Sequence, residues 1–274
     1  MSNTYASPLA QSPIVIKYGG AAMSAACHPE RSEAESRDAI LQEVAALVAR
    51  GTPVVLVHGG GPEIDRWLAE RSIPTARIEG NRVTDAATLA ITEAVLCGTL
   101  NKRLVRQCAA LGLDAVGISG QDGRLLTARP AANRALGFVG EIVACDPVVL
   151  LHLLAAGYTP VVAPLAASVD GTTALNVNAD LAAAAIAGAL RARAFVMVTN
   201  VPRVLRDVND PHSGIDHLTL DEARAFASSG ACDGGMKPKI DAAIVAVENG
   251  ASASYIGGPS SIGAALAGAG TRVD

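Results

Sequence analysis

A buried strand that runs into three consecutive glycines is the feature that most constrains the fold of this chain. Residues 54–57 are all aliphatic, a continuous apolar run typical of parallel strands buried on both faces. His58, three glycines at 59–61 and Pro62 follow, and proline is favoured in the first turn of a helix. A strand, a glycine turn and a helix start direct free N–H groups at one point, which suits an anion such as phosphate. A tight turn that needs glycine only for its geometry has the same pattern, so both interpretations stay open at this stage.

Composition narrows the class of protein. Half of the 274 residues are hydrophobic but only 3% are aromatic, so the core must be built from Ala, Val, Leu and Ile. A net charge of −4 argues against nucleic acid or an anionic membrane as partner. The five cysteines form no CxxC pair, which indicates reduced thiols in a cytoplasmic protein. The longest apolar runs, 148–156 and 181–190, are too short to span a membrane. The chain begins without a signal peptide pattern.

Strand and helix patterns alternate along the chain. Predicted strands cover residues 14–20, 54–57, 114–119, 159–163, 195–202 and 254–256. Predicted helices cover residues 39–50, 62–71, 85 to about 110, 146–156, 181–190, 218–229, 236–249 and 262–267. This order implies right-handed crossovers and an α/β fold, with a mostly parallel sheet covered on both faces. Two short alternating runs, 125–128 and 138–143, predict hairpins that form a flap over a ligand. No dinucleotide-binding or P-loop motif is present.

Several charged and polar residues stand where burial or a helix dipole makes them unfavourable without a partner. Lys17 lies inside an apolar strand just before a glycine pair, and Arg82 precedes a helix cap. Polar residues occupy every second position from Asn176 to Asp180, more than one helix cap requires. Lys239 is one of two lysines in the first turn of a helix, where they oppose its dipole. The first three of these features also have a simpler interpretation, as a strand-end lysine, a surface arginine and a capping cluster.

Six motifs, in this order and spacing, resemble the amino acid kinase family, and within it the acetylglutamate kinase branch of arginine biosynthesis. The motifs are Lys17-Tyr18-Gly19-Gly20, His58-Gly59-Gly60-Gly61-Pro62, Gly80-Asn81-Arg82-Val83-Thr84-Asp85, Leu136-Gly137-Phe138-Val139-Gly140-Glu141, Asn176-Val177-Asn178-Ala179-Asp180 and Gly234-Gly235-Met236-Lys237-Pro238-Lys239. The resemblance extends from about Ile14 to the C-terminus.

The resemblance implies a three-layer αβα sandwich that forms one kinase domain. After a flexible lead (1–13), an N-terminal lobe (14–190) would bind the amino acid and a C-terminal lobe (191–274) would bind ATP. The implied reaction transfers the γ-phosphoryl group of ATP to the γ-carboxylate of N-acetyl-L-glutamate. This acceptor is ionised near neutral pH, so no general base is needed. Since the lead is shorter than the N-terminal helix of arginine-inhibited hexameric members, we expect a homodimer.

The resemblance also implies a role for individual residues. Lys17 and Lys239 would flank the transferring group as catalytic residues, with Asp180 holding both lysines in place. Substrate would be bound by Arg82, which grips its α-carboxylate, and by Asn176, Gly60 and Gly61; the Gly20 amide would complete a phosphate cradle with the two glycine amides. ATP would be bound by Thr199, Asn200, Val201, Leu205, Ala231 and Asp233. Mg²⁺ would be held mainly by the nucleotide phosphates, without a dedicated protein metal site.

Two alternatives remain open from the sequence. A kinase of the carrier-linked lysine route, which phosphorylates aminoadipate on a carrier protein, is favoured by Asn200, where acetylglutamate kinases usually have aspartate, and by the spacing of Lys237 and Lys239. A basic patch around the acceptor pocket would support it. The other alternative is a non-catalytic small-ligand sensor on the same fold, which the presence of Lys17, Asp180 and Lys239 disfavours.

Overall fold

The computed structural model describes residues 9, 11–19, 31–199, 201–229, 232, 234–258 and 262–274, with backbone only for 31–38. Its strands are β1 (Ile14–Tyr18), β2 (Val54–His58), β3 (Arg77–Ile78), β4 (Asn81–Arg82), β5 (Ala115–Ser119), β6 (Leu126–Pro130), β7 (Gly140–Cys145), β8 (Thr159–Ala163), β9 (Leu165–Ser168), β10 (Ala174–Asn176), β11 (Ala194–Val198), β12 (His217–Leu218), β13 (Ser254–Gly257) and β14 (Thr271–Val273). Its α-helices are α1 (Arg31–Ala49), α2 (Gly61–Glu70), α3 (Ala86–Glu93), α4 (Asn101–Ala110), α5 (Val148–Ala155), α6 (Ala179–Ala189), α7 (Leu220–Ser228), α8 (Lys237–Glu248) and α9 (Ile262–Leu266).

The main sheet has eight strands in the order β12-β14-β13-β11-β1-β2-β8-β5. Neighbouring strands are parallel except β13 and β14, which run antiparallel. The sequence-based prediction of a mostly parallel sheet is therefore confirmed. Because β1 pairs with β2 on one side and β11 on the other, the residues that follow these three strands meet at one edge of the sheet.

Alternate side chains of the central strands belong to two separate cores, one on each face of the sheet. In β1, Ile14 and Ile16 pack with α1, α2, α4 and α9, whereas Val15 packs with α5, α6 and α8. Both cores are almost entirely aliphatic, as the low aromatic content requires. Helices thus cover both faces of the sheet, and the predicted three-layer αβα arrangement is confirmed.

Smaller elements lie outside the main sheet. The predicted hairpin of β6 and β7 is confirmed, and it belongs to a four-stranded sheet in the order β10-β9-β6-β7. β9 and the two-stranded β3–β4 hairpin were not predicted, whereas the residues of β10 were expected to be extended but not to pair in a sheet. The single helix predicted from 85 to about 110 is interrupted by a π-helix, Ala94–Leu100, whose Gly98 and β-branched residues weaken regular α-helical packing. In the described part of the chain, no helix is both long and apolar enough to cross a membrane.

Candidate active site

Two lysines and one aspartate from three different elements meet at the carboxyl edge of the main sheet. Lys17 is at the end of β1, Asp180 is in the first turn of α6, and Lys239 is in the first turn of α8. The Lys17 Nζ atom lies 2.8 Å from Oδ1 of Asp180, and the Lys239 Nζ atom lies 3.4 Å from Oδ2. Lys17 and Asp180 are buried, while Lys239 is partly exposed. The three residues, here called the charged triad, therefore present two ammonium groups on either side of one carboxylate.

The carboxylate of the charged triad stays ionised. Burial raises the pKa of Asp180, but the nearby ammonium groups of Lys17 and Lys239 outweigh burial and hold the pKa below its usual value. Two ammonium groups and one carboxylate give the triad a formal net charge of +1. An excess positive charge in a partly buried site favours an anionic ligand.

A pocket of about 340 Å³ opens beside Lys17 and Asp180. Its other walls include glycines 59–61 and the side chains of Arg82 and Asn176. A second cleft of about 690 Å³ shares Asp180 with this pocket and extends past Lys239. The sizes are those of small-molecule sites. The two spaces share the lining residues Gly80, Asn81, Asn178 and Asp180, so Asp180 lies between them.

Arg82, predicted as a substrate ligand, is buried in the wall of the pocket with its guanidinium fixed in place. It pairs with the carboxylate of Asp65, and its Nη2 atom donates to the Gly61 carbonyl at 3.1 Å. Burial raises the pKa of Asp65, but the Arg82 guanidinium outweighs it and the pKa lies below the usual value. Sequence analysis missed Asp65, since an aspartate on a half-exposed helix face carries no recognisable signal. Arg82 is thus pre-oriented without being fully enclosed.

The alternating polar residues from the end of β10 to the start of α6 have different partners. Asn176 donates from Nδ2 to Oγ1 of Thr84 at 3.2 Å, which links β10 to the segment after β4. Asn178 caps α6, since its Oδ1 accepts from the backbone N–H groups of Asp180 and Leu181. Asp180 bonds to the two lysines. All three alternating residues line the same pocket. This agrees with the expectation from the sequence that these residues do more than cap a helix.

The glycine turn, residues 59–61, is packed closely on both sides. Gly59 donates its N–H to the Tyr18 carbonyl at 3.1 Å, and α2 begins at Gly61. A Cβ atom on Gly60 would lie 2.5 Å from Leu100 and 2.6 Å from Leu96, both in the π-helix. The N–H groups at the start of a helix have no partner within that helix. Backbone N–H groups of this turn are therefore available as hydrogen-bond donors at the wall of the pocket.

On the predicted nucleotide side, the structure places only some of the named residues. Thr199 directly follows β11, where its Oγ1 accepts from the N–H of Val201 at 3.0 Å, and Leu205 bridges to Gly214. Gly20, Asn200, Ala231 and Asp233 lie outside the described residues.

The two lysines at the start of α8 have different surroundings. Lys237 is exposed and pairs with Asp241 at 2.8 Å on its own helix, whereas Lys239 faces Asp180. Only Lys239 therefore belongs to the charged triad. The described residues contain no group of three or more His, Cys, Asp or Glu side chains able to hold a metal ion.

Comparison with known proteins agrees with this arrangement. The profile of the amino acid kinase family matches residues 12–258. A protein of Synechococcus sp. (strain CC9605) named acetylglutamate kinase is 44% identical over 243 residues, which cover 89% of this chain and 80% of that protein. The structure of smu.665 from Streptococcus mutans UA159 has a TM-score of 0.78 at 26% identity, covering 96% of this chain and 98% of that one. Carbamate kinase from Giardia, 17% identical with a TM-score of 0.73 over 96% of this chain and 99% of that one, shares the fold. The chain belongs to the amino acid kinase family.

Proposed function

We propose that this protein phosphorylates the γ-carboxylate of N-acetyl-L-glutamate with ATP, giving N-acetyl-L-glutamyl 5-phosphate in arginine biosynthesis. The observation that carries the proposal is the charged triad at the edge of a pocket that also contains Arg82 and Asn176. The name of the Synechococcus relative supports the same substrate.

The pocket residues supply orientation and charge rather than proton transfer. The Arg82 guanidinium forks onto the α-carboxylate of the acceptor, and Asn176 offers an amide to the same molecule. The γ-carboxylate, already ionised, then points to Lys17. One of its oxygens forms a bond to the γ-phosphorus of ATP while the bond from that phosphorus to the bridging oxygen breaks. ADP leaves with the electron pair.

Lys17 and Lys239 neutralise the charge that spreads over the phosphoryl oxygens during transfer. Asp180 holds the two ammonium groups on either side of that position and keeps them from drifting toward solvent. The glycine turn adds backbone donors, with the Gly60 and Gly61 amides directed at the same group. Catalysis on this account is positioning plus electrostatic stabilisation, and the site needs no base.

The nucleotide is assigned to the C-terminal lobe, residues 191–274, and the amino acid to residues 14–190. Thr199, Val201 and Leu205 follow β11, and Lys239 is in the first turn of α8, so all four belong to the C-terminal lobe. The positive triad and the glycine amides fit nucleotide phosphates chemically. Mg²⁺, held mainly by those phosphates, supplies further neutralisation of their charge.

A small acceptor is favoured over a carrier-linked one by the relatives that are named acetylglutamate kinase. The cations of the site share carboxylates, since Arg77 and Arg82 both pair with Asp65 and Lys17 and Lys239 both pair with Asp180. The excess of positive charge that results suits an anionic acceptor of either kind. The sensor alternative is disfavoured because the charged triad is complete.

We assign the protein to the cytoplasm as a homodimer. At the edge of the main sheet, β5 and the neighbouring segment 94–110 expose half-buried apolar side chains, including Cys97, Val105 and Ile118. Light scattering after gel filtration should give about twice the monomer mass of 27.7 kDa. A monomeric mass would contradict the assignment.

The activity test is to incubate the protein with Mg·ATP and N-acetyl-L-glutamate, and to trap the acyl phosphate with hydroxylamine as a hydroxamate. Lys239→Met should lower the rate roughly 100-fold or more, because it removes a charge that acts in the transition state. Lys237→Met, in the same helical turn but paired with Asp241, is the matched control and should keep near-wild-type activity.

Equal loss in both lysine variants would contradict the role of the triad. Absence of hydroxamate with acetylglutamate, but formation with carrier-linked aminoadipate, would replace the proposed acceptor. Nucleotide binding without transfer to either acceptor would support the sensor alternative.

A further inference from the structure

His58 is a buried histidine that the proposed chemistry does not use, although it lies directly beneath the glycine turn. Its ring Nδ1 atom is 2.9 Å from the Gly59 carbonyl oxygen, and its Nε2 atom is 3.3 Å from Nδ2 of Asn101. Complete burial lowers the pKa of His58 to about 4, although the Gly59 carbonyl favours the charged form. The imidazole is therefore neutral at neutral pH, with one nitrogen as donor and the other as acceptor.

Asn101 determines which ring nitrogen carries the proton. Its Nδ2 atom lies 2.8 Å from the Val161 carbonyl oxygen and 3.2 Å from that of Ile118. Carbonyl oxygens only accept, so the atom that faces them must be the amide nitrogen and not the amide oxygen. The two hydrogens of that nitrogen are shared among these two carbonyls and Nε2 of His58, which makes Nε2 an acceptor. The proton of the ring must then be on Nδ1, where it donates to the Gly59 carbonyl.

This hydrogen bond fixes the orientation of the Gly59–Gly60 peptide. In a planar trans peptide the C=O and N–H groups point in opposite directions. The Gly59 carbonyl points to the buried ring of His58, so the N–H of Gly60 points away from the interior. Because the glycine turn forms part of the pocket wall, the opposite direction is that of the pocket. A second anchor, the bond from Gly59 N–H to Tyr18, prevents the turn from rotating about the strand end.

We propose that His58 and Asn101 are positioning residues, which hold the Gly59–Gly60 peptide so that the Gly60 N–H donates to the transferring phosphoryl group. The proposal rests on the proposed function, because it assumes that a phosphoryl group reaches this pocket. It adds two residues outside the pocket to the machinery of the transfer step.

The π-helix explains how one segment reaches both sides of the turn. A π turn contains an extra residue, which rotates the following positions by about 100°. Asn101 comes immediately after the π-helix and points into the sheet toward His58, while Leu96 and Leu100 pack over Gly60. The same helical segment thus contacts Gly60 through two leucines and the His58 ring through Asn101.

A pair of substitutions at His58 separates the hydrogen bond from the volume of the ring. In His58→Asn the side-chain nitrogen occupies the same δ position as Nδ1 and keeps a donor for Gly59. His58→Leu fills similar space without a donor. With acetylglutamate and ATP, His58→Leu should lower kcat about ten- to a hundredfold while KM for acetylglutamate changes little, because a misdirected backbone donor acts mainly in the transition state. His58→Asn should recover most of the lost kcat.

A variant that is destabilised far from the glycine turn shows whether a loss of stability by itself lowers kcat. Leu154→Ala deletes a buried side chain of α5 on the other face of the sheet and should lower stability without changing kcat. If His58→Asn and His58→Leu lose kcat equally, or if the loss is in KM alone, the positioning role is wrong.

Nitrogen-15 NMR of the histidine rings tests the pair without any turnover. The expected spectrum shows a neutral His58 with the proton on Nδ1, and Asn101→Leu, which removes the donor to Nε2, should weaken this preference. A proton on Nε2, or a charged ring at neutral pH, would overturn the proposal. If the wild-type protein does not phosphorylate acetylglutamate, the proposed function fails, whereas the NMR result still decides the His58–Asn101 arrangement.

Discussion

At the scale of single residues, the most important feature is that Asp180 forms ion pairs with two lysines at once. Lys17 is buried and would be an uncompensated charge without this carboxylate, whereas Lys239 is partly exposed and keeps contact with water. The two ion pairs therefore differ in what they contribute. The pair with Lys17 stabilises the fold, and the pair with Lys239 mainly sets the position of an ammonium group.

Asp180→Asn should destabilise the protein by about 3–5 kcal/mol, because it leaves Lys17 buried without an opposite charge. The double variant Lys17→Met with Asp180→Asn should recover most of the lost free energy of unfolding, since no buried charge remains unpaired and the partly exposed Lys239 keeps contact with water. It should still be inactive. Urea denaturation together with the hydroxamate assay checks both expectations. A double variant less stable than Asp180→Asn would show that Lys17 is not the source of the loss.

The contribution of Asp180 to stability should also depend on pH with a definite sign. Its pKa in the folded protein is held below the ordinary value, so between the two pKa values the unfolded chain binds more protons. The stabilisation is complete above the unfolded pKa of about 4 and is lost as pH falls through the folded pKa. The difference in free energy of unfolding between wild type and Asp180→Asn should therefore shrink with acid below about pH 4. A difference that grows with acid would contradict this.

Sequence predicted the buried charges better than their partners. Lys17 was identified because a lysine inside an apolar strand is unfavourable without an anion. Asp65 and Asn101 were missed because their partners, Arg82 and His58, are 17 and 43 positions away. The residue pattern alone did not separate the two lysines of α8, since their roles depend on which face of the helix meets Asp180, and Lys239 was named only through the family resemblance.

At the scale of elements, the contact between the segment before β7 and the segment after β4 shapes the acceptor side of the pocket. Gly137 has φ of 66° and forms a bridge with Thr84, and Phe138 donates its N–H to the Thr84 carbonyl at 2.7 Å. Thr84 in turn accepts from Asn176. One glycine therefore allows the close backbone approach through which Asn176 is held.

Gly137→Ala should reduce stability and raise KM for acetylglutamate, since the new Cβ would lie 2.3 Å from the Thr84 carbonyl oxygen. Gly157→Ala is the matched control, with φ of 84° and open space around the Cβ position. The control should lose only the strain of a left-handed residue, about 1–2 kcal/mol, with KM unchanged. Equal losses of stability in the two variants would exclude the backbone contact as a cause.

Element prediction succeeded where periodicity was long and failed where it was short. The central strands β1, β2, β8 and β11 carry continuous apolar runs of three residues or more and the longer helices carry an apolar period, and these elements are confirmed by the structure. β3 and β4 have two residues each, too few for alternation to be recognised. The π-helix has no periodic signal distinct from that of an α-helix, because both are amphipathic over seven residues.

At the scale of the whole molecule, the two proposed lobes share one sheet. β1 from the first lobe pairs directly with β11 from the second, and α6 contributes to the core that also contains α8 and β11. Separating the lobes would expose that core to water. We therefore expect the lobes to unfold together.

Trp67, the only tryptophan of the chain, gives a local probe for this expectation. It lies on α2 in the first lobe, whereas far-ultraviolet circular dichroism reports all helices. At one protein concentration, urea transitions followed by Trp67 fluorescence and by circular dichroism should coincide, as in a single cooperative transition. Two separated transitions would show that the lobes are independent folding units.

The division between the main sheet and the smaller sheets has a consequence for evolution. Arg82 and Asn176 are carried by β4 and β10, outside the main sheet, whereas each member of the charged triad is on an element of the main sheet or packed against it. Mutations that change the acceptor can therefore accumulate in β4, β10 and their loops while the residues that handle phosphate are inherited unchanged. A lineage with this architecture can acquire a new substrate without having to reinvent the transfer of the phosphoryl group.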